Sequence, residues 1–395
     1  MTDLGGQNIY FGNIVQASRK LVVNTIECLV DTEPITIKCD VVIEGTLDTD
    51  DITLTATDTI VGVSAGHQST IQSNTFLGAS AGRDVTTGIS NTFVGTGAGK
   101  SDTTGLLNTF VGYQSGINNT TGTLNTFVGA NSGLVNTAAG NVFVGYNSGV
   151  ANTVGTDNVF VGESSGSSNL SGGANTFVGQ NSGSANITAS NNTFLGFESG
   201  LSNTIGSSNT YVGYQTGIST TSGIANVMLG AEAAGAHTSG TNNTLLGTSV
   251  ASALTTGNNN VMVGPDAGDT IVTGSSNTIV GADAGGSTGV ALEGCVLIGN
   301  NAGNINTTDN RLMIDNTPTN APLIDGNFLQ RILQVNGELI MGESGNTTNV
   351  HSVNGDIETT VGLAGGAAAP PATPTYYLRL RVNGITYRVP LYNEP

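Results

Sequence analysis

The sequence predicts an all-β protein, a parallel β-solenoid (β-roll) of about 15 coils assembled as a homotrimer, and three observations predict it. A 17-residue motif recurs over most of the chain. Gly accounts for 58 of the 395 residues, where average usage would supply about 28. Two apolar residues stand side by side in nearly every copy of the motif. Asn-Thr-Phe-(Val/Leu)-Gly begins at Asn74, Asn91, Asn108 and Asn125, and Asn-Val-Phe-Val-Gly at Asn141 and Asn158. The aromatic form returns at Asn175, Asn192 and Asn209, and Met, Leu or Ile replaces the ring in the copies at Asn226, Asn243, Asn260 and Asn277. Degenerate copies begin at Asp58, Cys295 and Asn310, and the spacing departs from 17 by one residue near Asn141 and Cys295.

Each copy reads as one coil. The β-branched and aromatic triplet after Asn suits a short strand. A Gly-x-x-(Ser/Ala)-Gly segment such as Gly112–Gly116, followed by Thr-Gly, supplies corners with positive φ. Strands this short persist only when successive coils stack in register at about 4.8 Å, which gives a rod roughly 70 Å long. Three glycines in 17 residues leave no sustained helical period, and Gly at other than every third position excludes collagen.

The paired apolar residues set the oligomeric expectation. Neighbours in an extended strand face opposite ways, so one of Phe and Val lines the coil and the other forms an outward stripe longer than a soluble monomer tolerates. Identical parallel chains about a shared axis cover such a stripe, three being the preferred number and a dimer the alternative. The core or trimer ladder is Phe76, Phe93, Phe110, Phe127, Phe143, Phe160, Phe177 and Phe194. Beside it runs an Asn ladder, Asn74, Asn91, Asn108, Asn125, Asn141, Asn158, Asn175 and Asn192. Its amides are expected to bond from coil to coil and to accept left-handed corner geometry.

The shaft spans 58–314. Residues 1–57 lack the repeat, are β-rich around Leu21–Val30 and Ile35–Gly45, and read as a cap that blocks edge-to-edge polymerisation and docks the fibre. After the shaft, a β-hairpin transition region covers 315–364, an extended Gly/Ala/Pro linker 365–375, and a C-terminal β-hairpin 376–395. Val335-Asn-Gly337, Val353-Asn-Gly355 and Val382-Asn-Gly384 are the hairpin signals.

Composition narrows the function. A net charge of −18 with only 10 Lys and Arg argues against nucleic acid, and no apolar run is long enough for a spanning helix. The start lacks a secretory signal. Three cysteines, Cys28, Cys39 and Cys295, read as reduced and structural. His67, His237 and His351 are too dispersed for a metal site or a triad. Asp266 and Asp283 share a coil position one period apart, which invites a glycosidase-like pair or a Ca²⁺ site, yet no third acid, His or Arg is expected beside them, and Glu198 and Glu232 stand as isolated charges. No catalytic residue, metal or cofactor is therefore assigned. Tyr113, Tyr146, Phe197 and Tyr214 are expected at outward corners where aromatic faces can stack on sugars, packing on the adjacent coil being the favoured reading, and Arg379, Arg381 and Arg388 of the last hairpin are candidates for contact with an acidic partner, paired solvated charges being the favoured reading. Ice binding by the Thr column is weakened by Val142, Val159, Val227 and Val261, which interrupt it.

Asn-Thr-Phe-Val-Gly-x-x-Ser-Gly resembles the head repeats of trimeric autotransporter adhesins and, more closely, repeats of phage and large-virus fibre proteins, over 58–314. The stretch from Asn310 to Phe328 is similar to the segment that closes such repeats in tail-fibre-like proteins. The resemblance implies a left-handed β-roll trimer serving attachment. The resulting expectation is a structural fibre of a virus or phage, assembled in the host cytoplasm and displayed on the virion. One end, the N-terminal one, holds a capsid or tail protein, and a tip meets a host glycan or protein receptor. A bacterial surface adhesin is the alternative; a glycan-degrading enzyme and an ice-binding protein rank below it.

Overall fold

The computed structural model describes residues 59–66, 73–286 and 291–337, and the backbone of short strands at 339–340, 349–350, 376–382 and 385–391. The expected cap over 1–57, the linker 365–375, the Val353-Asn-Gly355 turn, Cys28, Cys39, His67 and His351 lie outside the described residues.

Fifteen strands of three residues each, β1 (Thr59–Val61) to β15 (Val296–Ile298), follow one another at the repeat spacing. Each pairs in parallel with the next, like residue on like, as in Phe93 with Phe110 and Val94 with Val111. A strand β16 (Arg311–Ile314) continues the ladder on β15. The result is a parallel β-solenoid of about 14 turns. Coils of 16 and 18 residues leave this register intact, with Phe127 still on Phe143 and Ile279 still on Leu297. The odd residue is absorbed in the loop before the next strand.

Alternation decides what lies inside. The middle residue of every strand from Phe76 to Leu297 is fully buried, while its two neighbours are half-buried or exposed. Phe76 to Phe194 and Tyr211 form one stack. From Phe93 onward their centroids are 4.8–4.9 Å apart and the planes within 9°. Offset stacking of this kind adds roughly 0.5–1.5 kcal/mol per pair to the burial of the rings.

The ring dictates the residue that faces it. In the Phe160 coil, Gly166 sits at φ +57, and a Cβ there would lie 2.5 Å from the ring. Where Met228 or Leu245 replaces the ring, the same position becomes Ala234 or Ala251, buried and still left-handed. In those two coils both residues exchange together, whereas Met262, Ile279 and Leu297 still face Gly268, Gly285 and Gly303.

Beyond the coils, β17 (Ile324–Asn327) folds back antiparallel on β16, and β18 (Ile332–Val335) antiparallel on β17. The Asp315 carboxylate fixes the first turn by accepting from the Asn316, Thr317 and Leu323 amides at 2.7, 3.0 and 2.7 Å. The expected hairpin at Val335-Asn-Gly337 does not form: β18 pairs with β17, while β19 (Leu339–Ile340) pairs with β20 (Asn349–Val350). Asn336 is engaged elsewhere, its amide N–H donating to the Leu323 carbonyl at 2.9 Å and its Nδ2 to that of Pro322 at 2.7 Å. Across Asn383-Gly384, β21 (Tyr376–Val382) and β22 (Ile385–Leu391) do pair antiparallel.

Candidate functional site

The shaft presents its chemistry as columns. The first asparagine column is buried from Asn74 to Asn277. Each Oδ1 accepts the main-chain N–H of the next asparagine, as between Asn91 and Asn74 at 2.9 Å, and each Nδ2 donates to a carbonyl that closes its own coil, as from Asn74 to Gly88 at 2.9 Å. Amide-to-amide bonds are added further along, for example Asn226 Nδ2 to Asn209 Oδ1 at 3.1 Å. None of these asparagines is left-handed. That conformation falls at other corners, including Leu107, Gln114 and Leu124. The sequence expectation of a corner asparagine is thus corrected: the ladder is needed because its Oδ1 satisfies an N–H buried between coils.

A second polar column, which the sequence reading missed, shares the interior with the rings. Asp102, Asn119, Asn136, Asn152, Asn169, Asn186 and Asn203 are all buried at one coil position. Asn152, Asn169 and Asn186 each donate to the preceding member at 2.5–2.6 Å. The signal was present as a second asparagine at the same period. The Thr-Gly glycine has its role beside this column rather than in positive φ, since a Cβ at Gly122 would lie 2.8 Å from Asn119 Nδ2.

Two titratable groups occupy that column. Burial pushes the Asp102 carboxyl up to about 7, against hydrogen bonds from the Gly105 amide and Asn108. Burial alone lowers the His237 imidazole to about 4. Its Nδ1 lies 3.2 Å from Thr220 Oγ1, and its Nε2 has no hydrogen-bond partner among the described residues. The Tyr211 phenol, facing Thr220 and Asn226, is raised by burial. Cys295 is a free, buried thiol that ends the asparagine ladder, and burial raises it as well.

The outer face of the strands carries Thr or Val at the first position and Val, Leu or Ile at the third. Val94, Val111 and Val144 are half-buried, whereas Leu77, Leu195 and Leu229 are exposed. The Phe ladder lies wholly in the chain's own interior.

Tyr113, Tyr146, Phe197 and Tyr214 are exposed along one edge, each directly after the glycine that ends its strand. The Phe197 and Tyr214 rings stack at 5.5 Å. Glu198, expected to stand alone, accepts from Gln215 Nε2 at 2.7 Å.

Asp266 and Asp283 occupy equivalent left-handed corners one coil apart. A third acid joins them, contrary to expectation. The Asp269 carboxyl is raised by burial first and then by the charges of Asp266 and Asp283. Among the described residues no group of three or more His, Cys, Asp or Glu side chains is arranged to hold a metal ion.

At the end of the shaft, the β16–β18 meander pairs the Arg311 guanidinium with the Asp325 carboxylate and exposes Leu323, Phe328, Leu329, Ile332 and Leu333. In the last hairpin the backbone register sets Arg379 opposite Arg388 and Arg381 opposite Thr386.

Comparison of the chain with protein-family models, with curated proteins and with solved structures finds no match. No helix among the described residues is long and apolar enough to cross a membrane.

Proposed function

We propose that the chain is a non-enzymatic structural fibre, a parallel homotrimer displayed on a virus or phage particle. Its shaft spaces a C-terminal attachment tip from an N-terminal anchor bound to a capsid or tail protein. The observation that carries this reading is the outward Val/Leu column, which accompanies the buried ring column coil after coil. A stripe of that length favours a partner with the same repeat and the same rise, and identical chains side by side provide one. The exposed apolar meander after the last coil supports a second point of association beside the tip.

A bacterial surface adhesin uses the same architecture, so location decides between the two. Antibody against the chain, applied to virions and to intact cells of the source organism, is expected to decorate projections on the particle. Label confined to the cell surface selects the adhesin reading. Asp266→Asn and Asp283→Asn are expected to change no glycan-cleaving activity; loss of reducing-end release in either variant would replace the fibre with an enzyme.

A further inference from the structure

We infer that the shaft edge between Tyr113 and Tyr214 binds an extended, uncharged polysaccharide lying along the rod. The coil itself does not require aromatic residues there. The equivalent position holds Ala130, Ala231, Pro265 and Ala282 in coils that fold with the same register. Yet Tyr113, Tyr146, Phe197 and Tyr214 leave 55, 53, 38 and 49% of their surface in solvent. Four aromatic side chains aligned on one edge, demanded by neither register nor core, make a platform on which a ligand can stack.

The arrangement fits a sugar chain. The rings fall at whole numbers of rungs: Tyr113 and Tyr146 two apart, Phe197 and Tyr214 adjacent with planes 10° apart. One rung, about 4.8 Å, is close to the advance of one pyranose in an extended polymer. The C–H face of a pyranose packs on an aromatic face, and its hydroxyl rim seeks amides and carboxylates. The residue following each ring supplies them: Gln114, Asn147, Glu198 and Gln215, all half-buried. Asn131 Nδ2 donates to Asn147 Oδ1 at 3.1 Å and Gln215 Nε2 to Glu198 Oε2 at 2.7 Å, which fixes their orientation. Each amide has bonding capacity beyond one such contact.

Other occupants fit less well. A second copy of this repeat would be met along the whole length, as the Val column is, whereas the rings are confined to four coils. An extended peptide would need a free strand edge, but the main chain here is already paired between coils, with the Gln114 amide N–H on the Thr96 carbonyl at 2.9 Å. Glu163 and Glu198 on the ridge and a net charge of −18 oppose sulfated or uronic polymers.

The inference rests on the attachment reading for its purpose, but binding is measured on the purified full-length chain, so either can fail alone. Affinity electrophoresis through hydroxyethylcellulose, mannan, arabinoxylan, hyaluronan and heparin is the test. Retardation by at least one of the three uncharged polymers is expected, weakened roughly tenfold in the Tyr146→Ser/Phe197→Ser/Tyr214→Ser variant and less in Tyr113→Ser alone, with unchanged circular-dichroism melting. Absence of retardation by all three, stronger retardation by hyaluronan or heparin, or equal retardation of the triple variant overturns it.

Discussion

Two stretches of the same solenoid solve one packing problem with different side chains. From Asn74 to Asn209 the interior is a ring faced by glycine and accompanied, from Asp102 to Asn203, by the second polar column. From Asn226 onward it is Met228, Leu245, Met262, Ile279 and Leu297, with Ala234 and Ala251 filling the space the ring left and Leu254 and Ile271 standing where the second asparagine stood. The first asparagine column runs unchanged through both. The difference separates replaceable polarity from obligatory polarity. Side chains that bond one another and groups of their own loop are exchanged as a set for aliphatics, whereas the amide that holds the main-chain N–H of the next coil is kept in every coil from Asn74 to Asn277.

The sharpest way to break this comparison is Gly166→Ala. Left-handed alanine and a Cβ inside the Phe160 ring should together cost about 4 kcal/mol, read by hydrogen exchange and thermal melting. Adding Phe160→Met, which copies the Met228 and Ala234 pair, should recover most of the loss; additive losses would show that the exchange is not coupled. Next comes Asn158→Leu against Asn169→Leu. The former orphans the Asn175 amide N–H, which donates to Asn158 Oδ1 at 3.0 Å. The latter, made together with Asn152→Leu and Asn186→Leu so that no amide of the column loses its neighbour alone, leaves the Gly172 carbonyl still bonded by Asn158 at 2.9 Å. Expected costs are about 3 and about 1 kcal/mol, and equal costs would erase the distinction between the columns.

The two stretches should also respond to pH with opposite sign. Asp102 binds its proton more tightly folded than unfolded, so its contribution falls as pH rises from about 4 to about 7. Asp102→Asn should therefore stabilise the protein at pH 8 and little at pH 3.5. Linkage caps that gain at about 4 kcal/mol, and about half is expected. His237 is held neutral, so its contribution falls as pH drops from about 6.5 to about 4. His237→Leu, copying Leu254 of the next coil, should raise the melting temperature at pH 4 and leave it nearly unchanged at pH 8. A gain at the same end of the pH range in both variants would contradict the assignment. The smallest effect is expected at the edge, where Tyr146→Ser should change stability by less than about 0.5 kcal/mol.

The shaft was legible in the sequence because a 17-residue period with fixed glycines admits few structures, and because Phe beside Val declares two faces. Less was legible wherever the reading stopped at a single column. The second asparagine was not legible as a buried column because it sits in a loop of Ser, Thr and Gly where Asn is an ordinary turn residue, although Asn119, Asn136 and Asn152 repeat as regularly as the first. Left-handed geometry at Leu107 and Leu124 carries no residue signature at all; neighbouring coils impose it through the Leu107 N–H on Ile89 and the Leu124 N–H on Leu106. The Asn-Gly signal misled at Asn336 because a side-chain bond to Pro322 outweighed local turn preference. Asp269 was missed because, although it follows Asp266 in the same corner, its approach to Asp283 crosses coils.

The central claim is that the outward Val/Leu column is covered by two further copies of the chain. Sedimentation equilibrium of the full-length protein at micromolar concentration tests it directly. A single species of three times 39.7 kDa is expected. A well-behaved particle at the mass of one chain would contradict it.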